Sequence, residues 1–222
     1  MRPHNSFDIT HKMLRFDSQR VKHKNAPHTG DRFVIVCFNT DLNYKTETEE
    51  WWKDRGDQRS LRLKQEYCDR KEEYLPLRNA DAEREVLLHL LKQGRYKTLL
   101  KDNSTEGGNS KYDENGGRFM SFGVTASREL QLERMARGVF SKFEKNKNNQ
   151  IYAVLYKAVR EYLNALAPVD DFFGVSENAM YHSCIIAKNS QCVWHTDRLN
   201  LGGAVLTTVG DFTGGELLLA EG

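Results

Sequence analysis

The chain has 222 residues, 33 basic against 31 acidic side chains, a net charge of +2 and 39% hydrophobic residues. That length suffices for a buried core, and no apolar run approaches the ~20 residues of a membrane-spanning helix. The near-balanced charge excludes an overall polycation, although local basic patches can still meet phosphates.

The N-terminus, MRPHNSFDITHKMLRFDSQR, lacks the apolar stretch of a secretory signal. Cys37, Cys68, Cys184 and Cys192 form no CxxC pair, so reduced and mostly buried thiols are expected. Cys184 and Cys192 flank an expected turn, which alone does not call for a disulfide. The expected location is intracellular, in nucleus or cytoplasm, with no membrane partner.

Residues 1–30 are polar and interrupted by Pro3, Pro27 and Gly30, and read as an irregular arm. RFVIVCFN (Arg32–Asn39) is a β-branched and aromatic run and predicts a strand. Residues 45–75 are highly charged around Trp51 and Trp52, and read as a solvated, helical excursion. DAEREVLLHLLKQ (Asp81–Gln93) predicts a helix capped by Asn79 or Asp81 and stopped by Gly94. His89 reads there as a core-edge residue. After a Gly/Asn/Ser-rich loop, RFMSFGVT (Arg118–Thr125) predicts a strand, and Ser127–Phe143 a helix.

The strongest helical pattern covers Asn148–Leu166. Its apolar residues Ile151, Val154, Leu155, Ala158, Val159, Tyr162, Leu163 and Leu166 trace one face at a 3.6-residue period, and Pro168 ends it. Such a helix should lie along a sheet. From about residue 179 the texture turns to β: MYHSCIIAKN, QCVWHTD, AVLTTVG and ELLLAE alternate with turn-like NS, RLNLGG and DFTGG. The whole predicts an α+β fold with a β-sandwich or barrel at its C-terminal end.

His195 and Asp197 carry the chemical signal. Residues i and i+2 of a strand share a side, so an imidazole and a carboxylate can meet one ion. Two imidazoles and one carboxylate on one face of iron(II) leave positions free for a chelating co-substrate and dioxygen. HxD alone recurs by chance; its context here is Asn189, then HTDRLN, a strand, and GDFTGGEL with its Gly214–Gly215 reversal.

These segments resemble the core of the 2-oxoglutarate/iron(II) dioxygenases. Within that superfamily the chain is most similar to the TET/JBP group, which oxidises methyl groups of thymine or 5-methylcytosine in nucleic acid. FMSFGVT (Phe119–Thr125) and GDRFVIVCF (Gly30–Phe38) extend the resemblance. It implies helices packed on a double-stranded β-helix (jelly-roll or cupin-like) core within a dioxygenase domain over residues 31–222. It implies iron(II) as cofactor, 2-oxoglutarate and dioxygen as co-substrates, and DNA or RNA as partner. It assigns His195 and Asp197 to the metal.

Asn200 matches a base-contacting position of that group and reads equally as a turn-forming asparagine. Arg198 reads as a phosphate contact or a solvated cation, and Asn189 as the closure of a turn. Arg15, Arg20, Lys22 and Lys24 read either as phosphate contacts or as parts of a solvated arm.

The resemblance also calls for a distal histidine, and for an arginine or lysine that holds the far carboxylate of 2-oxoglutarate. Both are expected on strands after GGEL, where this chain has neither; His182, upstream, is a poor substitute. The expectation is therefore a core incomplete at its C-terminus, with an unpaired sheet edge and an inactive, poorly soluble product. The alternatives are a prolyl- or lysyl-type protein hydroxylase of the same superfamily, and a β-barrel binding domain in which His195 and Asp197 only hydrogen-bond.

Overall fold

The computed structural model describes residues 4–40, 72–95, 97–99, 117–123, 148–175, 179–197 and 200–220. Among these are ten strands: β1 (His4–Phe7), β2 (Met13–Phe16), β3 (His23–Asn25), β4 (His28–Thr40), β5 (Glu73–Leu75), β6 (Lys97–Leu99), β7 (Gly117–Gly123), β8 (Ser183–Lys188), β9 (Asn200–Gly214) and β10 (Leu217–Ala220). Three helices accompany them: α1 (Asp81–Gln93), α2 (Asn148–Ile151) and α3 (Ala153–Leu166). Trp51, Trp52, Cys68, the expected Ser127–Phe143 helix and Arg198 lie outside the described residues.

The strands form two sheets, and every strand pairing within them is antiparallel. The larger has the order β5-β2-β9-β4-β8-β7-β6, and the smaller β1-β10-β3. Strand β4 is its backbone. Phe33, Ile35 and Cys37 point into a core shared with α1 and α3, including Leu87, Leu91, Val159, Tyr162 and Leu163. Its alternate residue Val34 joins a second core with Leu14, Phe16, Leu206, Leu217 and Leu219, against which Val36 and Phe38 pack. Period-2 alternation thus gives the large sheet two apolar faces. Helices cover one and the small sheet the other, an α+β, sheet-rich arrangement compatible with a β-sandwich core.

The helix expected over Asn148–Leu166 is observed with a break at Tyr152. Its buried face is Leu155, Ala158, Val159, Tyr162, Leu163 and Leu166, as the spacing predicts. Ile151 and Val154 are instead 62% and 69% exposed, so the apolar stripe outruns the surface available to cover it. On α1, Leu87 and Leu91 are buried, Asn79 Oδ1 accepts the Asp81 N–H, and Gly94 ends the helix. His89 is exposed and meets Gln93 at 2.9 Å.

Two expectations are corrected. The first thirty residues are not an irregular arm: they supply β1, β2, β3 and the start of β4. These strands are short, and their pairing partners lie near the other end of the chain, so no local pattern announces them. β10 is also not an exposed edge. β1 pairs with it from His4↔Ala220 to Phe7↔Leu217, and β3 from Leu217↔Asn25 to Leu219↔His23.

Candidate metal centre

Strand β3 is brief and its inward residues are polar. His23 and Asn25 face the same side as Leu219 and Leu217, their partners in β10, and all four are buried. His23 is held edge-on to the Phe16 ring at 4.9 Å. An imidazole is thereby fixed at the edge of the small sheet, against the core between the two sheets.

The segment carrying His195 and Asp197 was expected to be a strand. Residues 191–197 form none; they touch β structure only through single bridges, one of them His23↔His195. That bridge is reciprocal: His23 N–H donates to the His195 carbonyl at 2.9 Å, and His195 N–H to the His23 carbonyl at 3.1 Å. The irregular segment is thus registered on β3 by backbone bonds, which bring the two imidazoles to 4.2 Å between ring centroids.

Each ring has a defined orientation. His23 Nδ1 lies 3.1 Å from the Val21 carbonyl, and His195 Nδ1 lies 2.7 Å from the Val193 carbonyl. A carbonyl only accepts, so Nδ1 carries the proton in both, and in the neutral ring Nε2 is left with a lone pair. Both Nε2 atoms face the Asp197 carboxylate: His23 Nε2 is 3.5 Å from Oδ2, and His195 Nε2 is 3.8 Å from Oδ1.

Two imidazole lone pairs aimed at a carboxylate repel it unless a proton or a metal cation lies between them. The spacings are long for direct hydrogen bonds. Bond lengths of about 2.0–2.2 Å around one ion give donor separations of roughly 3.0–3.4 Å, against 3.5 and 3.8 Å here to the two different carboxylate oxygens. His23, His195 and Asp197 therefore form a group able to hold a metal ion, with all three donor atoms within 4.8 Å of one another. His23 is 5% exposed, whereas the His195 and Asp197 side chains are 12% and 20% exposed, so one side of the group opens outward.

His23 is the residue that the sequence reading missed, since the third donor was sought downstream of Asp197 or at His182. His182 is not in the group; its Nδ1 lies 3.2 Å from Asn39 Oδ1, which also accepts the His182 backbone N–H. Asn200 is buried, and its amide donates to Ser18 Oγ at 2.8 Å. Asn189 takes a left-handed φ of 48°, accepts Arg32 N–H through Oδ1 and donates through Nδ2 to Asp31, closing the turn after β8.

A second unforeseen feature lies in β4. Arg32 is fully buried, and among the described residues no carboxylate forms an ion pair with it. Its Nη2 donates to the Gly215 carbonyl at 2.6 Å, while Nε and Nη1 have no hydrogen-bond partner among the described residues. The Phe212 ring sits 5.7 Å from its guanidinium carbon. Burial pushes the guanidinium pKa down to about 10, against the raising influence of Cys192 and Glu216. A buried, unneutralised cation costs several kcal/mol, and an anion offering two oxygens would offset that cost.

The space for Arg32 comes from glycine. A Cβ on Gly215, whose φ is +81°, would stand 2.7 Å from Arg32 Nε. Burial, and then the nearby Arg32 charge, also push the pKa of His28 down.

The basic residues of the first segment have separate fates. Arg15 is buried and paired with Glu73. Arg20 and Lys22 are exposed on either side of Val21, and Lys24 Nζ lies 5.2 Å from the centre of the Trp194 ring. Cys37 and Cys184 face each other directly across β4 and β8, and both are free thiols. No family model matches the chain, and neither a curated protein nor a solved structure matches it.

Proposed function

We propose that the protein is an iron(II)- and 2-oxoglutarate-dependent dioxygenase that hydroxylates a methyl group, with a methylated or modified base of DNA or RNA as substrate. The observation that carries this reading is the pair of Nε2 lone pairs turned on one carboxylate at the open edge between two sheets. In this reading His23 fills the distal-histidine role, and the protein core takes the double-stranded β-helix form, with β1 and β3 flanking β10 to complete it.

His23, His195 and Asp197 would hold the ion. Two neutral nitrogens and one carboxylate suit a borderline divalent metal better than magnesium, and leave coordination positions open. Bound iron supplies the activation of dioxygen that couples decarboxylation of 2-oxoglutarate to succinate with insertion of one oxygen atom into a C–H bond. The Nδ1–H bonds to Val21 and Val193 fix the ring orientation and the tautomer that presents each Nε2 to the ion. Arg32 is the cation offered to the far carboxylate of 2-oxoglutarate, with N–H groups on Nε and Nη1 left to donate. The apolar residues behind His23, Phe16 among them, exclude water from one side of the ion.

The nucleic-acid part rests on the resemblance of HTDRLN and FMSFGVT to the TET/JBP group. It gains support from Arg20, Lys22 and Lys24, which flank the third donor and offer phosphate contacts beside the site. A base in a duplex would have to leave its stack to reach the ion.

The test is turnover by the full chain with iron(II), 2-oxoglutarate and ascorbate in air. Succinate should form in step with hydroxymethyl product on methylated DNA or RNA. Succinate coupled to a prolyl or lysyl peptide, with none from nucleic acid, would favour the protein-hydroxylase alternative. No succinate with any substrate would remove the enzyme reading.

A further inference from the structure

The turn at residues 17–20 lies against Asp197 and Asn200. Asp197 N–H donates to the Ser18 carbonyl at 2.8 Å, and Asn200 N–H to the Asp197 carbonyl at 2.9 Å. Between them, Asn200 Nδ2 donates to Ser18 Oγ at 2.8 Å. Ser18 is fully buried and Asn200 is 6% exposed, so these bonds face little competition from water. The turn is itself braced, since Asp17 Oδ1 accepts the N–H groups of Gln19 and Arg20, both at 3.1 Å.

Asp197 is thus gripped on both sides of its Cα, by Ser18 on its amide and by Asn200 on its carbonyl. A few residues beyond Ser18 the same segment delivers His23, whose backbone exchanges two hydrogen bonds with His195. One short stretch, from Ser18 to His23, therefore supplies one donor and fixes the backbone behind the other two. That arrangement is needed because residues 191–197 are not in a strand and have no ladder to hold them.

We infer that Ser18 and Asn200 are positioning residues for the metal centre, and that the Asn200 amide serves the Asp197 carboxylate rather than a substrate base. This rests on the metal-centre reading above. The hydroxyl of Ser18 joins the segment bearing the third donor to the segment bearing the first two. Without it, the buried Asn200 amide loses its acceptor and the carboxylate its fixed approach to the ion. Removal of outer contacts of this kind weakens metal binding about 10–100-fold.

The experiment titrates cobalt(II), whose visible absorption reports coordination number, into the metal-free full chain. Wild type, Ser18→Ala, Ser18→Thr, Asn200→Ala and Asp197→Ala are compared, with unfolding midpoints recorded in chelator. Asp197→Ala should abolish tight binding. Ser18→Ala and Asn200→Ala should bind about 10–100-fold more weakly with an altered spectrum, and Ser18→Thr, which keeps the hydroxyl, should stay close to wild type. If Ser18→Ala does not fold, Ser18→Cys, nearly isosteric with a weaker acceptor, carries the same expectation.

Wild-type affinity and an unchanged spectrum in Ser18→Ala and Asn200→Ala would overturn the inference, even with a lowered unfolding midpoint, because the bonds would then be merely structural. If wild type and Asp197→Ala bind cobalt equally weakly, the metal-centre reading itself fails and takes the inference with it.

Discussion

Arg32 is the residue whose environment makes least sense for stability alone. It is fully buried; among the described residues two of its guanidinium nitrogens lack partners, and the third donates to a neutral carbonyl. Replacing a buried, uncompensated charge with an apolar side chain of similar length is often neutral or stabilising. Arg32→Met is therefore expected to unfold at the same temperature as wild type or higher in the absence of ligand. Under the proposed function it should also lose the upward shift in unfolding temperature expected when 2-oxoglutarate is added to metal-loaded wild type. Thermal scans with and without 2-oxoglutarate check both halves; an undiminished shift in Arg32→Met would assign the far carboxylate to another group.

At the same scale, His195 and Asp197 were legible because HxD places two donors within three residues. His23 was not, because nothing in VKHKN marks a strand: the buried positions of β3 are histidine and asparagine, so the hydrophobic alternation that announces most strands is silent. Polar residues that serve a site occupy the very face that a pattern search needs to find apolar.

Among the elements, the turn between β9 and β10 couples the cation to the sheet. Gly215 has a positive φ, and an added Cβ would meet the Arg32 guanidinium. Gly215→Ala carries a backbone cost of roughly 1–2 kcal/mol and pushes Arg32 from its seat. It is expected to keep metal affinity, because the three donors lie elsewhere, while weakening 2-oxoglutarate binding. Calorimetric titration of each ligand separates the two, and equal losses for both would show that the turn shapes the whole site.

The long apolar runs that became β4, β8 and α3 were readable because they bury one or two complete faces and so repeat at their structural period. The strand expected over AVLTTVG extends further at both ends. RLNLGG reads as a turn, yet β9 begins at Asn200 and continues through Gly210 to Gly214. Pairing along the thirteen residues of β4 overrides the turn propensity of asparagine and glycine.

For the whole molecule, the first and last segments of the described chain form one structural unit. β10 lies between β1 and β3, and the β3 segment is bonded to residues 195–197. The metal group exists only where these segments meet, which is why no single stretch of sequence contained it. A ligand spanning such a junction should stabilise both sides together. On addition of manganese(II), the amides of His23, His195, Asp197 and Ala220, all engaged across the junction, should gain hydrogen-exchange protection in concert. Protection confined to one segment would mean that the ion does not bridge them.

The most direct measurement is anaerobic titration of the metal-free full chain with iron(II), wild type beside His23→Ala. The account predicts one tightly bound ion per wild-type chain and an affinity lowered by at least about 100-fold in His23→Ala, with the unfolding transition in chelator preserved. Binding of equal strength and stoichiometry in both proteins would contradict it, as would a wild-type chain that takes up no iron.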